Sequence, residues 1–120
     1  MAARTIRDFQ VGFDVAPLVE AWANANHYGF RGTSADGAIK YQRGSGLLTG
    51  AMPLTVRQSG SAVHLEAWIH SALLARLGAL FMMPTDMGIE SGGFRGVLPR
   101  SMARTSVNKL LAELGQPPIG

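Results

Sequence analysis

A histidine and a glutamate two residues apart could together bind a metal ion. They are His64 and Glu66, in the stretch HLEAWIH. On a β-strand, alternate side chains project from the same face and lie ~6.6 Å apart along the chain, so both could reach one ion. His70 lies too far along the strand to join them without a sharp bend. We favour the competing interpretation, a solvated polar face of an antiparallel sheet, because such sheets commonly expose one side to water.

A long glycine-rich stretch, MPTDMGIESGGFRGVLP, is the candidate ligand- or partner-binding loop. It holds two carboxylates, Asp86 and Glu90, and then Gly92, Gly93 and Arg95. The glycines could bring backbone amides close to a ligand, and ordered loops carry function more often than cores do. No nucleophile–base pair is suggested in this loop. Its charged residues could equally pair with one another or with the arginines of the last helix.

The glycines of YQRGSGLLTGAMP raise the question of a phosphate-binding loop. A Walker loop needs two glycines separated by four residues and followed by lysine and then serine or threonine. Gly44, Gly46 and Gly50 do not have this spacing. Phosphate loops also lead into a helix, whereas Met52 to Gln58 alternates as a strand does. We therefore interpret the segment as a corner between two strands.

A small group of cations near the end of the chain could contact nucleic acid. Arg100 and Arg104 are four residues apart on one helical face, and Lys109 follows. Bases would also need aromatic stacking partners, for which Tyr41 and Trp68 are the candidates. A solvated helix face is the preferred interpretation, because the patch is small.

Composition excludes several further classes of site. Cysteine is absent, which rules out disulfides, thiolate zinc sites, iron–sulfur clusters and cysteine nucleophiles. No cofactor is expected, and the net charge of +3 is modest. No export signal is visible at the start, and the most apolar run, Ala72 to Met83, is shorter than the ~20 residues of a membrane span. We therefore expect a cytoplasmic protein without a membrane span.

The elements that position these residues are predicted from two periodicities, two residues for strands and 3.6 for helices. The predicted strands are Thr5 to Phe13, Phe30 to Thr33, Ala38 to Arg43, Met52 to Gln58 and Ala62 to His70. The predicted helices run from Asp14 to Gly29, from Ser71 to Phe81 and from Ser101 to Leu114. This order predicts a single domain, residues 1–120, with an α+β fold. We expect an antiparallel β-meander of about five strands with two to three helices packed on one face.

The predicted core takes apolar residues from one side of each element. It comprises Phe9, Val11, Phe13, Leu18, Trp22, Leu54, Val56, Leu65, Ile69, Val107 and Leu111.

The segment Ala72 to Met83 is apolar nearly all round, so one core-facing stripe cannot bury its large side chains. We expect part of it to form an interface together with the preceding tryptophan. The candidate interface residues are Leu73, Leu77, Leu80, Phe81 and Trp68. A closed twofold dimer is the commonest way to cover such a patch, whereas burial by the last helix or the glycine-rich loop is the competing explanation.

Four short motifs, YQRGSG, VHLEAWI, MGIESGG and VNKLL, follow one another along the chain. Their order and spacing resemble a family of small uncharacterised bacterial proteins. The resemblance covers about Phe13 to Leu114 and implies one intact domain. It implies no catalytic residue.

Three functions are compatible with these observations. A small protein-interaction or assembly module that associates with itself as a homodimer, or with a protein partner, ranks first. A weak nucleic-acid-binding module using the basic last helix ranks second. An enzyme that uses the loop from Asp86 to Glu90 ranks third.

Overall fold

The structure is a computed structural model that describes residues 4–44, 51–70, 86–87, 89 and 97–120. For residues 70, 86–87 and 97–100 it describes the main chain.

Five antiparallel strands form the main sheet. They are β1 (Thr5–Gln10), β2 (Gly29–Thr33), β3 (Ile39–Arg43), β4 (Met52–Ser59) and β5 (Ala62–Ala67). Their order across the sheet is β1–β5–β4–β3–β2. The last four strands follow one another as the predicted meander. β1 completes the sheet beside β5, at the opposite edge from β2.

Two helices accompany this sheet within the described residues. They are α1 (Ala16–Ala25) and α2 (Val97–Glu113). The predicted α+β fold is confirmed, with two helices where two to three were predicted. The helix predicted over Ser71 to Phe81 lies outside the described residues. Neither described helix is long and apolar enough to cross a membrane.

The ends of α1 differ from the prediction in their detail. The helix is capped by Val15, which makes no side-chain cap hydrogen bond, and Asp14 lies just before the cap, where its Oδ1 accepts a hydrogen bond from the amide of Ala16 at 3.1 Å. The helix ends before Gly29, however, because His27 takes the left-handed conformation with a φ of 64°. Gly29 is then free to begin β2.

Turns join the strands where the sequence places glycine. Between β2 and β3, the amide of Ser34 donates to the carbonyl oxygen of Ala38 at 2.9 Å, and Gly37 has a φ of 88°. Glycine adopts this conformation without a steric cost. β3 and β4 are antiparallel neighbours in the sheet. Residues 45–50 lie outside the described residues, so the interpretation of the glycine-rich segment as a corner between strands stays a prediction.

The core lies between one face of the sheet, called the inner face below, and the two helices. In β5, Val63, Leu65 and Ala67 are buried and alternate with half-buried polar residues. The two helices are tied together where the indole Nε1 of Trp22 donates to the carbonyl oxygen of Ser106 at 2.8 Å. Buried residues of both helices and of the inner face belong to one apolar cluster.

Most of the predicted core is confirmed. Seven of its members are buried: Trp22, Leu54, Val56, Leu65, Ile69, Val107 and Leu111. Phe9, Val11 and Leu18 pack against the cluster and are partly buried. Phe13 was wrongly placed in the core, because β1 ends at Gln10 and leaves Phe13 47 % exposed in the connection to α1.

The predicted last strand is interrupted at Trp68. Its amide donates to the carbonyl oxygen of Pro53 at 3.2 Å. The chain then continues as β6 (Ile69–His70), which pairs with β7 (Asp86–Met87) in a second, two-stranded sheet. The interruption changes the alternation, so that Ala67, Trp68 and Ile69 are all buried.

Replacing Leu65 by alanine should test the importance of the inner face. Leu65 is fully buried, so Leu65→Ala is expected to lower the free energy of unfolding by about 2–5 kcal/mol. Urea denaturation followed by circular dichroism measures the change. Met102→Ala is the control, since Met102 is 39 % exposed on α2 and its truncation should change stability by less than about 0.5 kcal/mol. Equal losses in both variants would contradict this description of the core.

Candidate functional site

The outer face of the sheet, opposite the helices, carries a row of polar side chains. His64 and Glu66 project from this face of β5, as their spacing predicted. The antiparallel register places Asp8 of β1 directly opposite His64, with Arg57 of β4 on its other side. The sheet therefore adds to the predicted pair Asp8, which is 56 positions away in the sequence, and Arg57 from the neighbouring strand of the hairpin.

Asp8, His64 and Glu66 form a hydrogen-bonded triad. His64 Nδ1 lies 2.6 Å from Asp8 Oδ1, and His64 Nε2 lies 3.0 Å from Glu66 Oε2. The hydrogen bond with Asp8 is the main reason that the pKa of His64 is raised. Partial burial opposes this rise, and the hydrogen bond and charge of Glu66 add to it. The geometry thus favours an imidazolium held between two carboxylates.

This triad is arranged for charge pairing. Each ring nitrogen of His64 already contacts a carboxylate oxygen, so neither nitrogen has a free lone pair when the ring is protonated. Across the described part of the chain, no three His, Asp or Glu side chains converge as possible metal ligands. The interpretation of His64 and Glu66 as a polar sheet face agrees with this geometry.

The triad continues through Glu66 to a covered tryptophan. Arg4 Nη1 lies 3.4 Å from Glu66 Oε1, and the Arg4 guanidinium carbon lies 3.8 Å from the ring centroid of Trp68. Lys40 Nζ lies 5.8 Å from the same ring. Cations over an indole ring are attracted by its π-electrons. Trp68 is only 5 % exposed, so it offers little surface either for stacking bases or for a protein interface.

A second ion pair lies on the same face. Arg57 Nη1 is 3.1 Å from Asp36 Oδ2, in the turn between β2 and β3. The hydrogen bond from Ser34 is the largest cause of the lowered pKa of Asp36, and the amide of Ala38 and Arg57 contribute further. Both partners of the pair are well exposed, so its contribution to stability is small.

The candidate glycine-rich loop is anchored by a residue that the sequence did not single out. Ile89 is fully buried, and its amide donates to Thr5 Oγ1 at 2.8 Å. Its carbonyl oxygen accepts a hydrogen bond from Arg104 Nη1 at 3.2 Å. Asp86 begins β7, opposite His70. Glu90, Gly92, Gly93 and Arg95 lie outside the described residues.

The structure describes the side chains of two of the three residues of the predicted basic patch. Arg104 is half-buried and bound to the Ile89 carbonyl oxygen, whereas Lys109 is exposed on α2. The side chain of Arg100 is outside the description. The candidate interface residues Leu73, Leu77, Leu80 and Phe81 also lie outside it.

A groove runs beside the edge of β1 with which no strand of the described ranges pairs. We call this the free edge and the groove the β1 groove. Its volume is about 300 Å³, and its lining residues are Arg7, Asp8, Phe9, Leu111, Gln116 and Pro117. One wall is the edge strand, and the other is the end of α2 with the chain that follows it. Sequence reasoning missed this groove because it forms between the two ends of the chain. The one available signal was the alternation of β1.

Comparison of the chain with protein-family models, with curated proteins and with solved structures found no match. The motif resemblance to small bacterial proteins therefore stays an expectation from the sequence. The function has to be argued from the geometry above.

The triad predicts that stability depends on pH. Because the pKa of His64 is raised on folding, its contribution is fully present below about pH 6.5 and is lost as the pH rises through the folded value. Urea unfolding from pH 6 to pH 9 should therefore show declining stability. His64→Asn and Asp8→Asn should each remove most of this decline.

His27→Asn is the matched control for this experiment. His27 is exposed with a φ of 64°, a conformation that asparagine tolerates. This variant should keep the wild-type pH dependence. A decline of equal size in His64→Asn would show that another group is responsible.

Proposed function

We propose that this chain is a small protein-interaction module that associates with a second copy of itself. The exposure of Phe30 is the observation that carries the proposal. Phe30 is 61 % exposed, the most of any large hydrophobic side chain in the described ranges. It lies on β2, a strand at the edge of the sheet.

The ring of Phe30 is held in one orientation by a neighbouring aromatic ring. Its ring meets the buried ring of Tyr41 edge-on, with 6.0 Å between centroids and 73° between planes. This arrangement is a favourable one for aromatic pairs. The exposed remainder of the ring stays in water, and full burial of a phenylalanine side chain stabilises by about 1.5–3 kcal/mol. A partner that covers Phe30 therefore gains free energy without reordering the ring.

The sequence of Ala72 to Met83 supports the same proposal independently. Its large apolar side chains would cover most of the circumference of a helix, so a second apolar surface is expected in addition to Phe30. Twofold dimers are the commonest assemblies of identical chains. A homodimer is thus the assembly that we propose first.

Nucleic-acid binding ranks second because the described cations are largely engaged. Arg4 pairs with Glu66, Arg57 pairs with Asp36, and Arg104 donates to the main chain. Cations paired with carboxylates release few counterions from a nucleic acid and supply little affinity, and the Arg104 guanidinium keeps its charge but is held by a main-chain oxygen. Catalysis ranks third, because both ring nitrogens of His64 already contact carboxylate oxygens.

Sedimentation equilibrium tests self-association. We expect an apparent mass that rises with concentration in the micromolar range. Phe30→Ser should weaken the dimer by about tenfold or more, because each copy loses an apolar contact.

Met102→Ser is the matched control, since Met102 is also exposed but lies on α2. It should associate as the wild type does. A monomer at every concentration would contradict the proposal. A complex with duplex DNA at physiological salt that is lost in Lys109→Ala would favour the second function.

A further inference from the structure

The even-numbered residues of β1 direct their main-chain groups away from β5. The amide of Val11 donates to the carbonyl oxygen of Ser61 at 2.9 Å, which continues the register of the two strands. Hydrogen-bonded pairs alternate with non-bonded pairs along an antiparallel ladder, so the odd-numbered residues of β1 bond to β5. The amides and carbonyls of Ile6, Asp8 and Gln10 therefore face the free edge. No described strand pairs with that edge.

β1 is a better template for a further strand than β2, the other edge of the sheet. The register of β2 with β3 shifts between Phe30 and Gly32, and Arg31 lies at this irregularity. Bulges and charged residues are features that protect an edge from pairing. β1, in contrast, keeps an unbroken register with β5 from Thr5 to Gln10.

The β1 groove provides space for the side chains of such a strand. Phe9 is partly buried and contributes the apolar lining that stays accessible. Leu111 also borders the groove but is 0 % exposed, and Gln116 and Pro117 complete the lining. The volume of about 300 Å³ is at the lower end of ligand pockets, ~300–1,000 Å³. A strand that pairs with β1 can therefore direct alternate side chains into the groove.

Arg7 gives the groove a charge preference. Its Nη1 donates to the carbonyl oxygen of Ile6 at 2.8 Å, so the chain's own guanidinium occupies an acceptor of the free edge. An incoming backbone amide can replace it there and release the guanidinium for a carboxylate. The other charged lining residue, Asp8, turns its carboxylate to His64 on the outer face.

We propose that the β1 groove binds an extended peptide segment of a partner protein, which adds to the sheet beside β1 and places an acidic side chain next to Arg7. This inference rests on the proposal that the chain is an interaction module. It adds a second binding surface to that of Phe30 and states which kind of partner this surface would bind. The main-chain amides and carbonyls of every second residue of β1 face the free edge, and they can form hydrogen bonds with the extended backbone of a partner. The guanidinium selects an acidic residue through charge-assisted hydrogen bonds.

The chain's own C-terminal segment is not the occupant. The amide of Ile119 donates to Asn108 Oδ1 at 2.7 Å, and Asn108 Nδ2 donates to the Ile119 carbonyl oxygen at 3.1 Å. Ile119 is also buried. These contacts hold the segment on α2.

A second copy of β1 is disfavoured by its own charges. In β1 only the even-numbered residues direct their main-chain groups to the free edge. In an antiparallel pair of two β1 strands, even-numbered residues must therefore face even-numbered residues. This requires the twofold axis to pass through a residue, which then faces its own copy. The two positions of the axis nearest the middle of β1 place Arg7 opposite Arg7 or Asp8 opposite Asp8. Like charges directly opposite each other destabilise a sheet.

Short synthetic peptides test the proposal with the intact chain. The first pool contains extended peptides with a central Glu, in which every other position is Val, Ile or Thr. Two matched pools have the same sequences, except that the central residue is Gln in one and Lys in the other. Binding is followed by fluorescence polarisation and by amide NMR. We expect the Glu pool to bind most tightly, and the amides of Ile6, Asp8 and Gln10 to shift and exchange more slowly.

Arg7→Gln should weaken binding of the Glu pool by about tenfold or more and leave the Gln pool unchanged. Arg31→Gln, an exposed arginine on the opposite edge strand, is the matched control and should bind both pools as the wild type does. The proposal is wrong if the Lys pool binds as tightly as the Glu pool, if the shifts fall on β2, or if no pool binds. Protection of the β1 amides by rising protein concentration without peptide would instead assign this edge to a second copy.

The two proposals fail in different ways. Loss of concentration dependence in sedimentation would contradict self-association and leave peptide binding in place. Absence of peptide binding would contradict the β1 groove proposal and leave the Phe30 contact in place.

Discussion

β1 pairs with β5 along its whole length, so the first strand of the chain completes the sheet beside the last strand of the meander. This pairing joins residues that are far apart in sequence, such as Asp8 and His64, which are separated by 56 positions. It turns the odd-numbered side chains of β1 toward the helices and the even-numbered ones to the outer face. The core, the charged triad and the free edge all follow from this one register, because a shift by one residue would exchange the two faces of β1.

The outer face of the sheet holds most of its charged side chains in pairs. His64 lies between two carboxylates, and Glu66 leads to Arg4 and the covered ring of Trp68. Each group has a partner, so the face is stabilised locally and presents few unpaired cations.

The two surfaces proposed for binding differ in their physical basis. Phe30 offers apolar area at a bulged edge, where main-chain pairing is hindered, and so suits side-chain packing. The β1 edge offers main-chain donors and acceptors beside a groove, and so suits an extended backbone. A small domain can use both at once, because they lie at opposite edges of the sheet. Assembly and partner binding need not compete.

Local pattern was sufficient to predict the α+β class, both described helices, the strands of the meander and most of the core, because periodicity and turn residues act over a few positions. It also placed His64 and Glu66 on one face. The neighbour of β1, the third member of the triad and the groove depended on contacts between distant segments, as did the anchoring of Ile89 on Thr5. Phe13 was wrongly placed in the core for the same reason. A strand's pattern says which residues share a side, but only the tertiary pairing decides where the strand ends, what lies opposite it and which edge stays free.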